Sequence, residues 1–465
     1  MLNRRQLIGT LGAGSLAALA PITALAANPR VIVVGGGMAG VTVAKYLRLW
    51  SGKTIDVTLV TPDTTYISNI MSNLVITGQV AYKTLQFSYA ALAKNYGITV
   101  VTGSVASVAG YGSAATGTVT LSNNTVLTSE RLVLAPGIQM KDVPLSTNLA
   151  VAAPVLHAWQ AGTQTTDLQT LLAAIPNGGS FVLSIPKKPY RCPPGPYERA
   201  CVIADYLKRN KPGAKIYVLD ANDNIQAEPT NFGAAFTQYN LAGVLEYWPG
   251  TKVDSVNAGA AAGKQQTAMV TTTANPTNIA NTIGSNPGGT RALYGDVMNI
   301  IPPHRAPDVA VNAGVVDAGT GFAPVYLHTF ESMVVGKQKI HVIGDASDTS
   351  LPKAGHVANQ EAKICASAII SLFKDASGST VDPAPTANSA CFSPINSTQA
   401  SWLTAVYQYK LVDSLGATLP ANKRFVIWNG ITNTYAAATE ASAPSTGNFS
   451  KMNSWYKVLM AESFT

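Results

Sequence analysis

The chain has 465 residues, of which 47% are apolar and only 12% charged, with 39 Gly and 27 Pro; an average soluble domain carries ~25% charged residues. That length calls for two or three domains with sizeable cores, and the composition excludes a disordered acidic chain. The 32 basic and 24 acidic residues leave +8, of which Arg4 and Arg5 contribute two; this thin basicity suits an acidic protein partner, and no Lys/Arg block or aromatic-basic repeat supports a nucleic-acid partner.

Residues 1–26 combine a basic start (Arg4-Arg5), an apolar middle and the small-residue end Ala24-Leu25-Ala26. This is the pattern of a twin-arginine secretory signal, with cleavage expected after Ala26. A retained membrane anchor is the alternative, but Gly9, Gly12, Gly14 and Pro21 interrupt the apolar run. No later stretch has the ~18–20 continuous apolar residues of a membrane span. A periplasmic mature chain without a stable transmembrane segment is therefore expected, exported folded, so that a cofactor can be inserted first.

Next comes Val31-Ile32-Val33-Val34, then Gly35-Gly36-Gly37-Met38-Ala39-Gly40 and a helix-period run through Leu47. Strand, glycine turn and helix in that order predict a dinucleotide-binding unit. Gly35 permits the tight turn, Gly37 admits the pyrophosphate, and Gly40 allows helix and strand to pack closely. The second strand, Ile55–Val60, ends at Thr61 where a ribose-binding carboxylate is usual; Thr61 and Asp63 are both candidates, with a plain turn role open for Asp63. Further strands are expected at 98–102, around 116–121 and at 131–134, the last leading into Ala135-Pro136-Gly137.

From about 150 to 305 a second α/β pattern appears, with strands at 181–185 and 216–220 around a helix from about Pro196 to Lys208. After its first strand stands Pro186-Lys187-Lys188-Pro189-Tyr190-Arg191-Cys192-Pro193-Pro194-Gly195 in place of a second phosphate-binding glycine turn. Proline has no N–H to offer a phosphate, so nicotinamide use is not expected. Residues 255–290 read as a hairpin with a surface insertion.

A later strand, Ile340-His341-Val342-Ile343, stops at Gly344-Asp345, which places Asp345 to bond the ribityl or ribose part of a cofactor. A helix from Ala354 to Leu372 and an aromatic-rich tail follow. The fold class is thus α/β: a split FAD-binding Rossmann-like domain (27–149 and 306–385), an inserted second Rossmann-like domain (150–305) and a C-terminal α+β domain (386–465). Such splitting favours FAD over NAD.

Four cysteines, Cys192, Cys201, Cys365 and Cys391, allow three pairings in an oxidising compartment, and spacing alone does not choose among them. Cys201 and Cys365 have helix-like, apolar surroundings and read as buried thiols. No C-x-x-C-H heme site is present, and the five histidines lack metal-ligand spacing, so no metal is expected.

The run Tyr190-Arg191-Cys192-Pro193-Pro194-Gly195-Pro196-Tyr197-Glu198-Arg199-Ala200 resembles the flavoprotein subunit of flavocytochrome c sulfide dehydrogenase. The resemblance extends through the 31–47 fingerprint, Ser72-Asn73, Ala135-Pro136-Gly137, Thr329-Phe330-Glu331, Gly344-Asp345-Ala346, Pro352-Lys353-Ala354-Gly355 and Ser454-Trp455-Tyr456. It implies a periplasmic FAD enzyme that oxidises sulfide, or a related small sulfur substrate, and passes electrons to a c-type cytochrome subunit. It also implies a redox-active disulfide between Cys192 and Cys391, with Glu198 at the family's base position; an inert staple and a solvated helix-start carboxylate are the alternatives. Met38, Ala39, Ala135, Pro136, Gly137, Gly344, Ala354 and Trp455 would border the flavin, and Lys353 would stabilise negative charge on it; a surface lysine and, for Trp455, an ordinary core role are the alternatives. Asn69 stands where the family has its flavin-linking cysteine, so noncovalent FAD is expected. A sulfide:quinone-type oxidoreductase and a non-enzymatic flavin electron-transfer or assembly subunit are the competing functions.

Overall fold

The computed structural model describes residues 27–142, 155–259, 267–274, 281–285, 288–410, 424–429, 434–435 and 438–465. The expected signal at 1–26, and the join at 149–150 between the first two domains, lie outside the described residues.

Strand Arg30–Val34 is central in a five-stranded parallel sheet, between Asp56–Thr61 on one side and Arg131–Leu134 on the other. Thr99–Thr102 and Ile340–Val342 form its edges. Val31 through Val34 are all buried, as a strand covered on both faces requires. Because Ile340–Val342 pairs with Arg131–Leu134, chain beyond 306 completes a sheet begun near residue 30. The helices Met38–Trp50 and Gly355–Lys374 cover one face. The segment expected near 116–121 is the middle strand of a small antiparallel meander, Val105–Ala109, Gly117–Leu121 and Val126–Ser129.

The inserted region has its own parallel sheet, ordered Leu245–Trp248, Lys215–Asp220, Ser180–Ile185, Val297–Ile300. Its helix runs Gly195–Asn210, slightly longer than expected. The 255–290 region contributes an antiparallel sheet of Thr251–Gly259, Thr267–Ala274 and Gly289–Gly295, one strand more than the expected hairpin.

In the C-terminal region, Thr386–Pro394 pairs antiparallel with Ala400–Tyr409, which in turn pairs with Phe425–Asn429. The last helix, Thr446–Phe464, is started by the Ser445 hydroxyl accepting the Asn448 N–H. It returns to the first domain, where Phe464 stacks on Tyr66 at 4.9 Å and Lys45 Nζ donates to the Glu462 carbonyl at 2.6 Å. This region therefore has its own sheet but shares its core with the FAD-type domain: Ala387, Ala400 and Met452 pack in one cluster with Val33 and Leu132. Among the described residues, no helix is long and apolar enough to cross a membrane.

Candidate active site

A single cavity of about 880 Å³ runs from the glycine turn at Gly35–Gly37 to the Cys192 loop and on to strand Thr386–Pro394. That lies near the top of the ~300–1,000 Å³ range of small-molecule sites and suits a large cofactor. Gly35 adopts φ +112°, and a Cβ there would stand 2.2 Å from the Ala135 carbonyl oxygen. A Cβ on Gly40 would lie 1.8 Å from the Gly35 oxygen, so helix and strand meet at this point only through glycine. A Cβ on Gly37 would approach nothing closer than Tyr66 Cε2 at 3.9 Å. Helix Met38–Trp50 opens with no side-chain cap and no acid in its first turn, which leaves its N–H groups to a phosphate. Glycine cradle, uncapped helix start and cavity size together fit the dinucleotide part of FAD.

Around this cradle the cavity is lined by Met38, Ala39, Thr61, Asn69, Ala135, Pro136, Gly137, Gly344, Asp345, Ala354 and Trp455. Thr61 is buried, its hydroxyl 3.5 Å from that of Tyr89, which donates to the Gly36 carbonyl at 3.1 Å. Asp63 is exposed and also lines the cavity, so its carboxylate is the more accessible of the two ribose candidates. Gly344 N–H donates to Glu361 Oε2 at 2.6 Å, which fixes the turn that carries Asp345. The Trp455 indole N–H is buried without a hydrogen-bond partner among the described residues.

Sulfur and acid enter the same cavity. Cys192, Cys391 and Glu198 all line the cavity. Both cysteines are free thiols in this structure, so the expected disulfide is not formed in it; they nonetheless face one space, and Cys192 contributes to the raised pKa of Cys391. Cys192 is held in the left-handed region at φ +58°, with its N–H donating to the Lys353 carbonyl at 2.6 Å and its own carbonyl accepting the Gly195 N–H at 2.9 Å. A Cβ on Gly195 would come within 2.7 Å of Cys192 Sγ and 2.9 Å of Trp159 Cη2. Gly195→Ala should therefore move the sulfur. The expected result, in protein first reduced anaerobically, is a Cys192 whose alkylation rate changes severalfold while Cys391 reacts as before, read by mass spectrometry of the labelled peptides.

Glu198 lies in the first turn of helix Gly195–Asn210, 8% exposed, and accepts from Asn73 Nδ2 at 2.8 Å. Burial pushes its carboxyl up to about 8, against the opposing bond from Asn73. Its neighbour Arg199, 1% exposed, donates to Asn73 Oδ1, Asn299 Oδ1 and the carbonyls of His157 and Ala158, and lies over the Trp159 ring at 4.6 Å. Asn73 belongs to the first domain and Asn299 to the second, so this network locks the acid in place across the domain junction. Burial, reinforced by Glu198, raises the Cys192 thiol to about 12, and burial also raises Cys391. At neutral pH both sulfurs, when reduced, keep their protons.

Two expectations need comment. Lys353 does not line this cavity: its ammonium is drawn beneath the Gly344 turn, where it donates to the carbonyls of Asp345 (2.9 Å) and Ser347 (2.7 Å) and sits 3.8 Å from the Phe322 ring centroid. Two carbonyl acceptors and an aromatic face satisfy a buried ammonium better than an open pocket does, so Lys353 braces the turn. Gly40 likewise acts through packing instead of lining the cavity, as its spacing required. His356 lines the cavity, accepts the Ala390 N–H at Nδ1 (2.9 Å) and meets Trp455 edge-on. Sequence reasoning gave no role to Asn73 and Arg199, though both stood in the quoted motifs, and missed Glu361. Burial raises both the Cys192 thiol and the Asp345 carboxyl, and Arg191, also cavity-lining, opposes that rise in each.

These buried groups set the pH response of the fold. Glu198, Glu361 and Glu228 have native values raised to about 8, 8 and 7, so they bind protons that the unfolded chain has released above about 4.5, and stability falls as pH rises through the native values. His157 and His341, both lowered to about 4, act oppositely: their contribution grows as pH rises toward 6.5. The two sets offset each other below 6.5. Above it only the acids act, so the thermal midpoint should fall steadily between about pH 6.5 and 8.5, measured by calorimetry of the purified protein, with Glu361→Gln flattening the slope.

Comparison with known proteins agrees with this geometry. Residues 165–284 match the family described as sulfide dehydrogenase [flavocytochrome c] flavoprotein chain, central, and residues 29–170 match pyridine nucleotide-disulphide oxidoreductase. Among solved structures, the sulfide:quinone oxidoreductase of the hyperthermophilic bacterium Aquifex aeolicus aligns with TM-score 0.68 and 14% identity over 94% of this chain and 91% of that one. An NAD-dependent persulfide reductase from A. fulgidus aligns with TM-score 0.55 and 14% identity over 93% and 77%. A ferredoxin reductase from Rhodopseudomonas palustris gives 0.56 and 16% over 82% and 83%. At these identities the structural matches speak for the fold. The second of these family matches contains the glycine cradle and the first contains Cys192 and Glu198, so the chain is an FAD-binding oxidoreductase with the two-domain fold of these flavoproteins, similar in its central part to the sulfide dehydrogenase flavoprotein chain.

Proposed function

We propose that this enzyme oxidises hydrosulfide, or a related reduced sulfur compound, at a Cys192–Cys391 disulfide and delivers the electrons to a c-type cytochrome. The observation that supports this reading is that two cysteines, distant in sequence, and the buried acid Glu198 line the same cavity as the dinucleotide cradle. In the oxidised enzyme, hydrosulfide attacks one sulfur of the pair, forming a persulfide there as the S–S bond breaks and the other sulfur leaves with the electron pair. FAD, when bound, would supply the two-electron acceptor: with both electrons of hydrosulfide ending there, the Cys192–Cys391 bond re-forms and the outer sulfur leaves as zero-valent sulfur with release of one proton. Glu198, with a value of about 8, holds a proton at neutral pH and can share it in a hydrogen bond with the leaving thiolate, whose surroundings strongly disfavour the charged form, while the sulfur keeps its electron pair. Asn73 orients the Glu198 carboxyl, and Arg199 anchors Asn73.

The flavin is proposed to be noncovalent, because Asn69 lines the cavity where the family's linking residue is a cysteine. Acid precipitation of the purified protein should leave FAD in the supernatant; a yellow pellet would refute this. The strand leading to Cys192 ends in a proline-rich loop that carries sulfur into the flavin cavity, which argues against a nicotinamide donor. Export to the periplasm is proposed from the first 26 residues. The acceptor is tested by steady-state oxidation of sulfide: cytochrome c reduction supports the reading, whereas reduction of a soluble quinone alone would transfer the chain to the quinone-linked branch.

A further inference from the structure

The arginines drawn into this fold spend their N–H groups on the protein itself. Arg131 donates to Glu331 and His341, Arg48 to the carbonyls of Tyr96, Lys53 and Ile55, and Arg199 to the asparagines and carbonyls named above. Arg191 is the exception. It is half-buried, yet among the described residues its guanidinium makes no hydrogen bond and no ion pair. It is also the one lysine or arginine among the described residues that line the cavity, whose acids are Asp63, Glu198 and Asp345. The backbone on either side is held: the Arg191 carbonyl accepts the Trp159 indole N–H at 3.2 Å, and the next residue, Cys192, is tied to Lys353 and Gly195. The side chain therefore starts one residue from a cavity sulfur, and its charge is felt at Cys192, Asp345 and Tyr66, all of which line the same space.

A half-buried cation with unspent donors beside a reactive sulfur is suited to an anion that comes from outside. The FAD pyrophosphate is already provided for by the glycine cradle and the uncapped start of helix Met38–Trp50. Around the sulfurs the protein brings no compensating charge of its own: burial keeps Glu198 and any reduced cysteine protonated at neutral pH and His356 neutral.

We propose that Arg191 is the binding group for a small sulfur monoanion, hydrosulfide in the reaction above, and makes the enzyme select the anion over its neutral conjugate acid. The inference rests on the sulfide-oxidising reading. Hydrosulfide carries one negative charge into the cavity, and on attack the same charge passes to the leaving sulfur, so Arg191 faces an equal charge before and during that step. An interaction of equal strength in both states lowers KM and leaves kcat alone.

The test compares the FAD-loaded wild type with Arg191→Gln and Arg191→Lys. In steady-state sulfide oxidation, Arg191→Gln should raise KM for sulfide roughly ten- to a hundredfold, the scale of a lost hydrogen bond to a charged group, with little change in kcat. Arg191→Lys keeps the charge and should recover most of the affinity. Independently of turnover, the unreactive sulfur monoanion thiocyanate should bind the oxidised protein, read from the flavin absorbance, and Arg191→Gln should weaken it by about the same factor. Thiocyanate that does not bind the wild type, or binds Arg191→Gln equally well, would overturn the proposal, whatever happens to KM. So would an Arg191→Gln protein that loses FAD while its loaded fraction keeps a normal KM, which would give the guanidinium to the cofactor. A wild type whose flavin is not reduced by sulfide would instead defeat the functional reading, and the thiocyanate titration would still decide whether Arg191 holds an anion. Because the guanidinium makes no hydrogen bond within the described protein, Arg191→Gln should fold and melt as the wild type does; where it does not, Arg191→Met gives the same decision.

Discussion

Cys192→Ser should lower sulfide-dependent acceptor reduction by at least about 10³-fold, the scale on which loss of a covalent catalytic group is felt, while FAD stays bound. The reason is positional. Cys192 lines the cavity that also contains the glycine cradle, fixed at both ends of its backbone by the bonds to Lys353 and Gly195, and a serine oxygen in the same place cannot form or break a sulfur–sulfur bond. Cys391→Ser should be equally inactive, and the double variant no worse than either, since the two sulfurs act as one unit. Glu198→Gln is expected to be milder, about 10²-fold, and to remove the ionisation near 8 from the pH profile. Retained turnover in Cys192→Ser would show that electrons leave the substrate without this pair. Cys201→Ser and Cys365→Ser serve as controls, because both side chains are fully buried away from the cavity.

Gly40→Ala is the second large effect expected, and it acts on cofactor and fold together. The added Cβ would stand 1.8 Å from the Gly35 carbonyl oxygen, a backbone atom that cannot swing aside, and Gly35 is itself confined against Ala135. Overpacking in a well-filled core costs ~1–3 kcal/mol, and here the relief must come from the turn that receives the pyrophosphate. The purified variant should contain little FAD and melt several degrees lower, as read by absorbance and calorimetry. Gly37→Ala is the informative contrast: its Cβ meets only Tyr66 at 3.9 Å, so the fold should be intact and FAD affinity alone should fall.

The split domain was legible in the sequence because its signals are local. An apolar run, a glycine turn and a helical period at 31–47, and an apolar run stopped by Gly344-Asp345, each name one element, and the parallel sheet then joins them. The tail was legible as aromatic-rich, but not its return to the first domain: the stacking of Phe464 on Tyr66 depends on a helix reaching back across the chain. The network around Glu198 was hidden for the same reason. Asn73, Arg199 and Asn299 lie on three separate segments, and only tertiary packing shows that the arginine spends its hydrogen bonds on asparagines and carbonyls instead of pairing with the adjacent glutamate. Lys353 misled because a Pro-Lys turn beside a flavin motif suggests a charge facing the ring, whereas the turn points the ammonium at its own carbonyls. Glu228 had no sequence signal at all, since nothing in its neighbours announces a buried acid.

The central claim is that Cys192 and Cys391 form an electron-carrying pair beside the flavin, and it is tested most directly by counting thiols in the denatured protein before and after anaerobic two-electron reduction. The chain has four cysteines. The expected result is two reactive thiols as isolated, assigned by peptide mapping to Cys201 and Cys365, and four after reduction. Four thiols throughout, in protein isolated without reductant, would contradict it.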